Sequence, residues 1–99
     1  MSVFVFPDDP FWNEEAEAVE FVVEVGEYRG RVLVARRALQ SLVGHTPKPE
    51  EALQYVCMNR PVFDKAVEMR IMDRKLDPDA NIHLTPRDVR RAFPELPPQ

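Results

Sequence analysis

Residues Glu50 to Lys75 read EEALQYVCMNRPVFDKAVEMRIMDRK, the longest run with helical spacing in the chain. Apolar residues recur in this run at steps of three, four or seven, which places them on one side of an α-helix. The stretch therefore predicts a long helix whose apolar side faces the core, with the other elements packed against it. The residues on that side are Leu53, Val56, Phe63, Val67 and Ile71.

Pro61 lies in the middle of this predicted helix. Proline removes one backbone hydrogen bond and disfavours helical angles at the preceding residue, here Arg60. The helix therefore either kinks at Pro61 or splits into two, and we favour one kinked helix over residues 50–75.

The same helix has a second apolar side, because an advance of about 100° per residue also collects side chains opposite the first. Such a side needs cover, and methionine adapts well to a partner surface. We expect a protein partner there, in the simplest case a homodimer. The alternative is cover from within the chain, by the aromatic residues of segment 4–12 or by Phe93. The expected interface consists of Tyr55, Met58, Val62 and Met69, with Met72 at its border.

Residues 18–35, AVEFVVEVGEYRGRVLVA, predict a β-hairpin. Its two-residue turn is Gly26-Glu27, since a type II′ turn prefers glycine first. This turn sets one apolar, core-facing set of opposite pairs: Val25 with Tyr28, Val23 with Gly30, Phe21 with Val32, and Val19 with Val34. On the other, mostly solvated face, Glu24 meets Arg29 and Glu20 lies diagonally across from Arg31. Gly30 indicates either a bulge or a large neighbour close to the backbone.

Shorter elements complete the fold. Residues 3–6 predict a strand, and Phe11 with Trp12 form a connector that folds over one end of the core. Residues 36–43 predict a helix that Gly44 ends, and Thr85 is the N-cap of a short helix over 86–93. The proline-rich residues 94–99 form a stiff tail.

Together these elements predict a single α+β domain over residues 1–99. A small antiparallel β-meander of two to three strands is packed on one face by helices 36–43 and 50–75, and the last helix closes the edge of the sheet.

The composition, the single cysteine and the lack of a recognisable targeting segment make the bacterial cytosol the expected location. The 99 residues contain 44% hydrophobic and 30% charged residues, too apolar for disorder, and carry a net charge of -4 that argues against general attraction to nucleic acid or membranes. Cys57 is the single cysteine, so no internal disulfide forms, and neither a signal peptide nor a membrane span is recognisable. We expect the protein not to bind membranes.

Several segments resemble a family of small bacterial proteins known only as the domain of unknown function number fourteen eighty-eight. The resemblance is carried by Trp12, by AVEF from Ala18, by Ala38-Leu39, by Ala52-Leu53, by Arg60, Phe63 and Val67, and by IHLTPRDV from Ile82. It implies a compact α+β fold with a small antiparallel sheet packed by helices, and it implies no activity. The sequence departs from the family pattern at Pro61.

Arg60 lies on the core-facing side of the long helix, one turn before Asp64, and the two can pair at i and i+4. We interpret them as a structural ion pair; the other interpretation is an arginine that binds an anion in a cleft. Cys57 borders the same side and is expected to be a small buried hydrophobe rather than a reactive thiol.

No pattern predicts catalysis, a cofactor or a metal site. His45 and His83 lie on separate segments without metal-ligand spacing, and Ser2 and Ser41 stand in no nucleophile motif. We therefore expect a non-enzymatic interaction module without a cofactor or small-molecule ligand.

Three arginines of the last helix support a different class of function. Arg87, Arg90 and Arg91 form a basic edge that could contact phosphates, as in a small nucleic-acid-associated regulator. We expect a solvated edge instead, because the whole chain is acidic and no aromatic residues interleave with these arginines.

Overall fold

The structure, a computed structural model, describes residues 4–73 and 81–92. Its strands are β1 (Phe4–Val5), β2 (Phe11–Asn13), β3 (Ala18–Val25), β4 (Tyr28–Ala35) and β5 (Ile82–Leu84), and its helices are α1 (Arg36–Val43), α2 (Pro49–Met58), α3 (Arg60–Met72) and α4 (Pro86–Ala92). Within these ranges the strands form one sheet in the order β1-β3-β4-β5, with β2 also paired to β3. The α+β class is confirmed, and the sheet is larger than the two to three strands expected.

The β3–β4 hairpin forms in the expected register. Val25 pairs with Tyr28, and each later pair of the core face follows as expected. Gly26 adopts φ +59°, the left-handed value that a type II′ turn needs at its first position. Gly30 stays in register opposite Val23, so it marks no bulge. A Cβ there would lie 2.7 Å from Cζ of Tyr28, which shows that this ring packs against the glycine backbone.

Two short strands pair with the edge of β3 that faces away from β4. β1 pairs with the turn end of β3 and β2 with its start, both antiparallel. The chain leaves the sheet between them at Pro7 and Pro10, which have no N–H to donate to the strand ladder. The strand predicted over 3–6 covers only Phe4–Val5, and Val3 lies outside the described residues. The predicted connector around Trp12 is a strand, because its backbone pairs with β3.

The meander prediction needs one correction, since β5 pairs parallel to β4 and the sheet is mixed. Ile82 and Leu84 point to the core beside Val32 and Val34. Parallel neighbours need a long crossover connection, and α1, α2 and α3 provide it. Alternating apolar residues in a three-residue stretch do not reveal which strand it joins or in which direction.

The predicted kinked helix over 50–75 is also corrected: it is two helices, α2 and α3, separated at Asn59. Asn59 has ψ 28°, outside the helical range, and its side-chain amide donates to the carbonyl of Tyr55 at 2.9 Å. Its own carbonyl accepts the N–H of Val62 at 2.9 Å and so starts α3. Pro61 lies in the first turn of α3, where its missing N–H is tolerated. Residues 74 and 75 lie outside the described residues.

The remaining helix ends follow expectation. α1 ends at Gly44, which is left-handed with φ +88°. Thr85 caps α4: its hydroxyl accepts the N–H of Asp88 at 3.1 Å, while the Asp88 carboxylate accepts the N–H of Thr85 at 3.0 Å. Phe93, the last residue predicted for that helix, and the tail 94–99 lie outside the described residues.

A single core joins the two layers. It contains the apolar face of β3 and β4, both apolar residues of β5, and buried side chains from each described helix. Phe21, Leu39 and Phe63 are among its largest fully buried members. The helices therefore cover one face of the sheet, as expected for α1, α2 and α3. The last helix was expected to close the edge of the sheet, but the edge strand is β5, and α4 packs on α3 and α1.

Candidate functional site

A groove runs along α2 and is here named the α2 groove. One wall is the end of α1 and the following loop, with Val43, His45 and Pro47. The other is one side of α2, which presents Glu51, Tyr55 and Met58. The groove encloses about 380 Å³ and opens to solvent. Gly44 turns the chain out of α1 and Pro49 starts α2, so the two walls follow directly from the helix ends.

Charge at the α2 groove is concentrated at the start of α2. Nε2 of His45 lies 3.6 Å from Oε2 of Glu51, and the other carboxylate oxygen accepts the N–H of Lys48 at 2.9 Å. That backbone hydrogen bond, more than the nearby imidazole, lowers the pKa of Glu51. Glu51 therefore stays ionised near neutral pH and fixes the loop against the helix.

Tyr55 lines the α2 wall of the groove, and its ring continues into the core. Its ring meets Phe63 edge-on, with centroids 6.0 Å apart. Its hydroxyl oxygen is buried and has no hydrogen-bond partner among the described atoms, and burial raises the pKa of Tyr55. The side chain is therefore held as a neutral phenol.

The residues predicted as one interface do not share one surface. Met58 is 74% exposed at the groove and Met72 is 72% exposed at the far end of α3. Val62 is buried in the core, and Met69 is partly buried in a small crevice shared with Asp88 and Arg91. The break at Asn59 interrupts the helical phase, so the spacing across it no longer predicts a common side. Tyr55 and Met58 precede the break and remain together.

Arg60 and Asp64 pair, with Nε and Oδ1 2.9 Å apart. The Arg60 guanidinium carbon also lies 4.8 Å from the ring centre of Phe21 and 5.7 Å from that of Phe6. Burial raises the pKa of Asp64 despite the hydrogen bond from Arg60. This arginine therefore links α3 to the sheet. Cys57, by contrast, is exposed rather than buried, because it points away from the core side of α2.

The basic edge of α4 is partly engaged with protein atoms. Nη2 of Arg90 donates to the carbonyl of Ser41 at 3.0 Å, and Arg91 lies 3.5 Å from a carboxylate oxygen of Asp73. Arg87 is exposed. Two of the three arginines thus tie α4 to α1 and α3.

A largely buried ion pair between Arg70 and Asp88 was not expected from the sequence. Nη1 of Arg70 lies 2.8 Å from Oδ2 of Asp88 and 3.0 Å from the carbonyl of His83, and both side chains are at most 15% exposed. Burial alone would raise the pKa of Asp88, but hydrogen bonds from Thr85 and Arg70 outweigh it and lower that pKa. The position of Asp88, three residues after the N-cap Thr85, could have predicted its role in capping α4. Nothing in the sequence indicated that Arg70 would pair with it.

The outer face of the sheet also carries an unexpected polar cluster. Glu20, expected on a solvated face, is only 7% exposed. It accepts hydrogen bonds from Nε and Nη2 of Arg31 at 3.0 and 2.9 Å and from the Asn13 amide at 2.9 Å. The hydrogen bonds from Arg31, with that from Asn13, lower the pKa of Glu20 despite its burial. Glu24 and Arg29 pair beside this cluster, as expected.

A second concavity, of about 460 Å³, lies where β2 turns into β3 and β4 meets α1. Arg36 and Arg37 line it, yet Arg36 already stacks 5.1 Å from the Trp12 ring centre and contacts Glu17 at 3.3 Å. These contacts hold the corner together.

The described residues 4–73 and 81–92 contain no group of three His, Cys, Asp or Glu side chains that could hold a metal ion. In the same ranges no helix combines the length and apolar character that a bilayer crossing requires.

Neither a protein-family model nor a curated protein matches the sequence. A solved structure does match: the crystal structure of a protein of unknown function from the DUF1488 family of Shewanella loihica PV-4. The two chains superpose with a TM-score of 0.71 over 85% of this chain and 94% of that chain, at 18% sequence identity. DUF1488 is the family that the sequence resembles, and the likeness confirms the compact α+β fold that the resemblance implied. The sheet is mixed rather than antiparallel, because β5 pairs parallel to β4.

Proposed function

We propose that this protein is a non-enzymatic interaction module that binds another protein chain through the α2 groove. The observation that carries the proposal is Met58, an apolar side chain that is 74% exposed and lines a groove together with Tyr55. Exposed apolar side chains beside a concave surface are typical of contact sites, and methionine packs well against aromatic rings. As part of this proposal, we place the protein in the bacterial cytosol.

The proposal keeps part of the predicted interface and leaves part out. Tyr55 and Met58 line the groove, whereas Val62 belongs to the core. Met72 is about as exposed as Met58, but it lies at the C-terminal end of α3, outside the groove lining. These two methionines therefore provide a matched pair for experiment.

A photo-crosslinking amino acid placed at position 58 tests the proposal in living cells. We expect a discrete protein adduct from position 58 and much less from position 72, because only the first lies in the groove. The partner is then identified by mass spectrometry, and Tyr55→Ala in the same protein should reduce the adduct. Equal labelling from both positions, or none from position 58, would contradict the proposal.

A further inference from the structure

We infer that the chain bound in the α2 groove is a second copy of this protein, related by a twofold axis that sets the two α2 helices antiparallel. This inference rests on the proposed function and names its partner. Both parts of the contact, a protruding side chain and a cavity to receive it, lie on one small surface of the same helix.

A twofold interface uses the same surface on both subunits, so that surface must be complementary to itself. Met58 protrudes from one end of the groove-lining side of α2, and the open cavity of about 380 Å³ lies next to it. A different partner that filled the cavity would still have to supply a second cavity for Met58. A second copy supplies the side chain and the cavity together.

The spacing of residues along α2 fits this symmetry. The groove-lining residues of α2 are Glu51, Gln54, Tyr55 and Met58, which lie symmetrically about the midpoint between Gln54 and Tyr55. If the axis passes near this midpoint, antiparallel helices place Met58 of one copy opposite Glu51 of the other. Tyr55 lies one turn further on, within reach of a long flexible methionine side chain.

The charges fit the same arrangement. Glu51 and Met58 are seven residues apart, about 10 Å along a helix axis. Each copy therefore brings its His45–Glu51 pair to the opposite end of the interface, where it meets the uncharged Met58. The two Glu51 carboxylates are kept apart, so the centre of the contact holds no like charges, and the antiparallel helix dipoles attract each other.

Sedimentation velocity over a range of concentrations tests the inference on the full chain. We expect the unmodified protein to form dimers. Met58→Glu would face the Glu51 carboxylate of the other copy and should raise the dimer dissociation constant at least about tenfold, whereas Met72→Glu should leave it unchanged. Because all these positions are exposed, thermal unfolding should show that both variants remain folded. A monomer at every concentration, or a dimer that Met58→Glu does not weaken, would overturn the inference.

Cysteine cross-linking tests the position of the axis. In a Cys57→Ser background, Gln54→Cys lies close to its symmetry mate, and a short bifunctional maleimide should link two chains through it. Met72→Cys in the same background is the control and should link far less. A dimer that links through Met72→Cys instead of Gln54→Cys would refute the antiparallel arrangement.

The two ideas can fail separately. If the protein is monomeric while a crosslinker at position 58 captures a different protein, the second copy is excluded and the proposed interaction function stands. If position 58 captures nothing beyond what position 72 captures and the protein is monomeric, both are wrong.

Discussion

The Tyr28 ring leaves no room for a side chain at position 30 of β4, which is occupied by glycine. A Cβ at Gly30 would come within 2.7 Å of the Tyr28 ring, so Gly30→Ala forces that ring from its place against the core. We expect this substitution to lower the free energy of unfolding by about 1–3 kcal/mol, the usual cost of overpacking. In a Tyr28→Ala background the same change should cost less than about 0.5 kcal/mol, because the ring is gone.

Gly26 is the control for this double-mutant cycle. A Cβ at Gly26 would meet no atom within 4 Å, but its φ of +59° strains any residue with a side chain. Gly26→Ala should therefore destabilise by the same amount with and without Tyr28. Urea denaturation measures all these variants, and an equal cost of Gly30→Ala in both backgrounds would refute the packing explanation.

Asp88 predicts a pH dependence whose sign follows from its pKa. Because the pKa of Asp88 is lowered in the folded protein, its ionised form contributes stability above the unfolded pKa of about 3.9 and loses it as the pH falls through the folded pKa. We expect Asp88→Asn to cost about 1–3 kcal/mol at pH 7, since it removes the carboxylate that pairs with the largely buried Arg70. Denaturant titrations at pH 7 and pH 3 should show this difference shrinking in acid.

Asp64→Asn is the matched comparison, because burial raises rather than lowers the pKa of Asp64. A raised carboxyl pKa contributes stability below the unfolded pKa, and that contribution is lost as the pH rises through the folded pKa. The stability of the unmodified protein relative to Asp64→Asn should therefore fall as the pH rises. The same trend for both aspartates would show that the two environments do not differ as described.

Among the elements, α3 is attached to the sheet through Arg60, which we predict to be structural. Its guanidinium stacks on Phe21 and pairs with Asp64, so Arg60→Met leaves a partly buried carboxylate without its partner. We expect a loss of about 1–3 kcal/mol in thermal or denaturant unfolding, with binding at the α2 groove intact. Replacing both residues, Arg60→Met with Asp64→Leu, should recover much of that loss. Unchanged stability combined with lost binding of a ligand would instead favour the anion-binding interpretation.

The sequence predicts those elements best whose ends are marked by special residues. Gly26 sets the hairpin register, Gly44 ends α1 and Thr85 starts α4, because each position has a backbone or hydrogen-bond requirement that few residues meet. β5 has no such mark, and its parallel pairing with β4 depends on where three helices bring the chain.

The candidate site was only partly predictable for a related reason. Tyr55 and Met58 share a side of α2 because helical spacing holds within one helix. That spacing fails beyond Asn59, because the hydrogen bonds of Asn59 with Tyr55 and Val62 end one helix and start the next, and apolar periodicity does not record such local bonds. The opposite wall of the groove also comes from a loop, whose course the sequence leaves open.

For the molecule as a whole, the net charge of -4 opposes nucleic-acid binding. We predict that the basic edge of α4 does not bind DNA or RNA tightly, since Arg90 and Arg91 contact Ser41 and Asp73. Gel-shift assays at low salt measure this. Tight, salt-sensitive binding that disappears when Arg87, Arg90 and Arg91 are all changed to glutamate would support the alternative function of a nucleic-acid-associated regulator.

The parallel pairing of β5 with β4 has a kinetic consequence. The hairpin closes across two residues, but β5 meets β4 only after the chain has passed from Ala35 through three helices to Ile82. Closing that long loop costs chain entropy before its contacts form, so we expect β5 to dock after the rate-limiting barrier. In stopped-flow experiments Val32→Ala should slow folding, while Ile82→Val should chiefly speed unfolding. The edge of the sheet completed last would then be the first to open, and the lifetime of the native state would depend on three residues of β5.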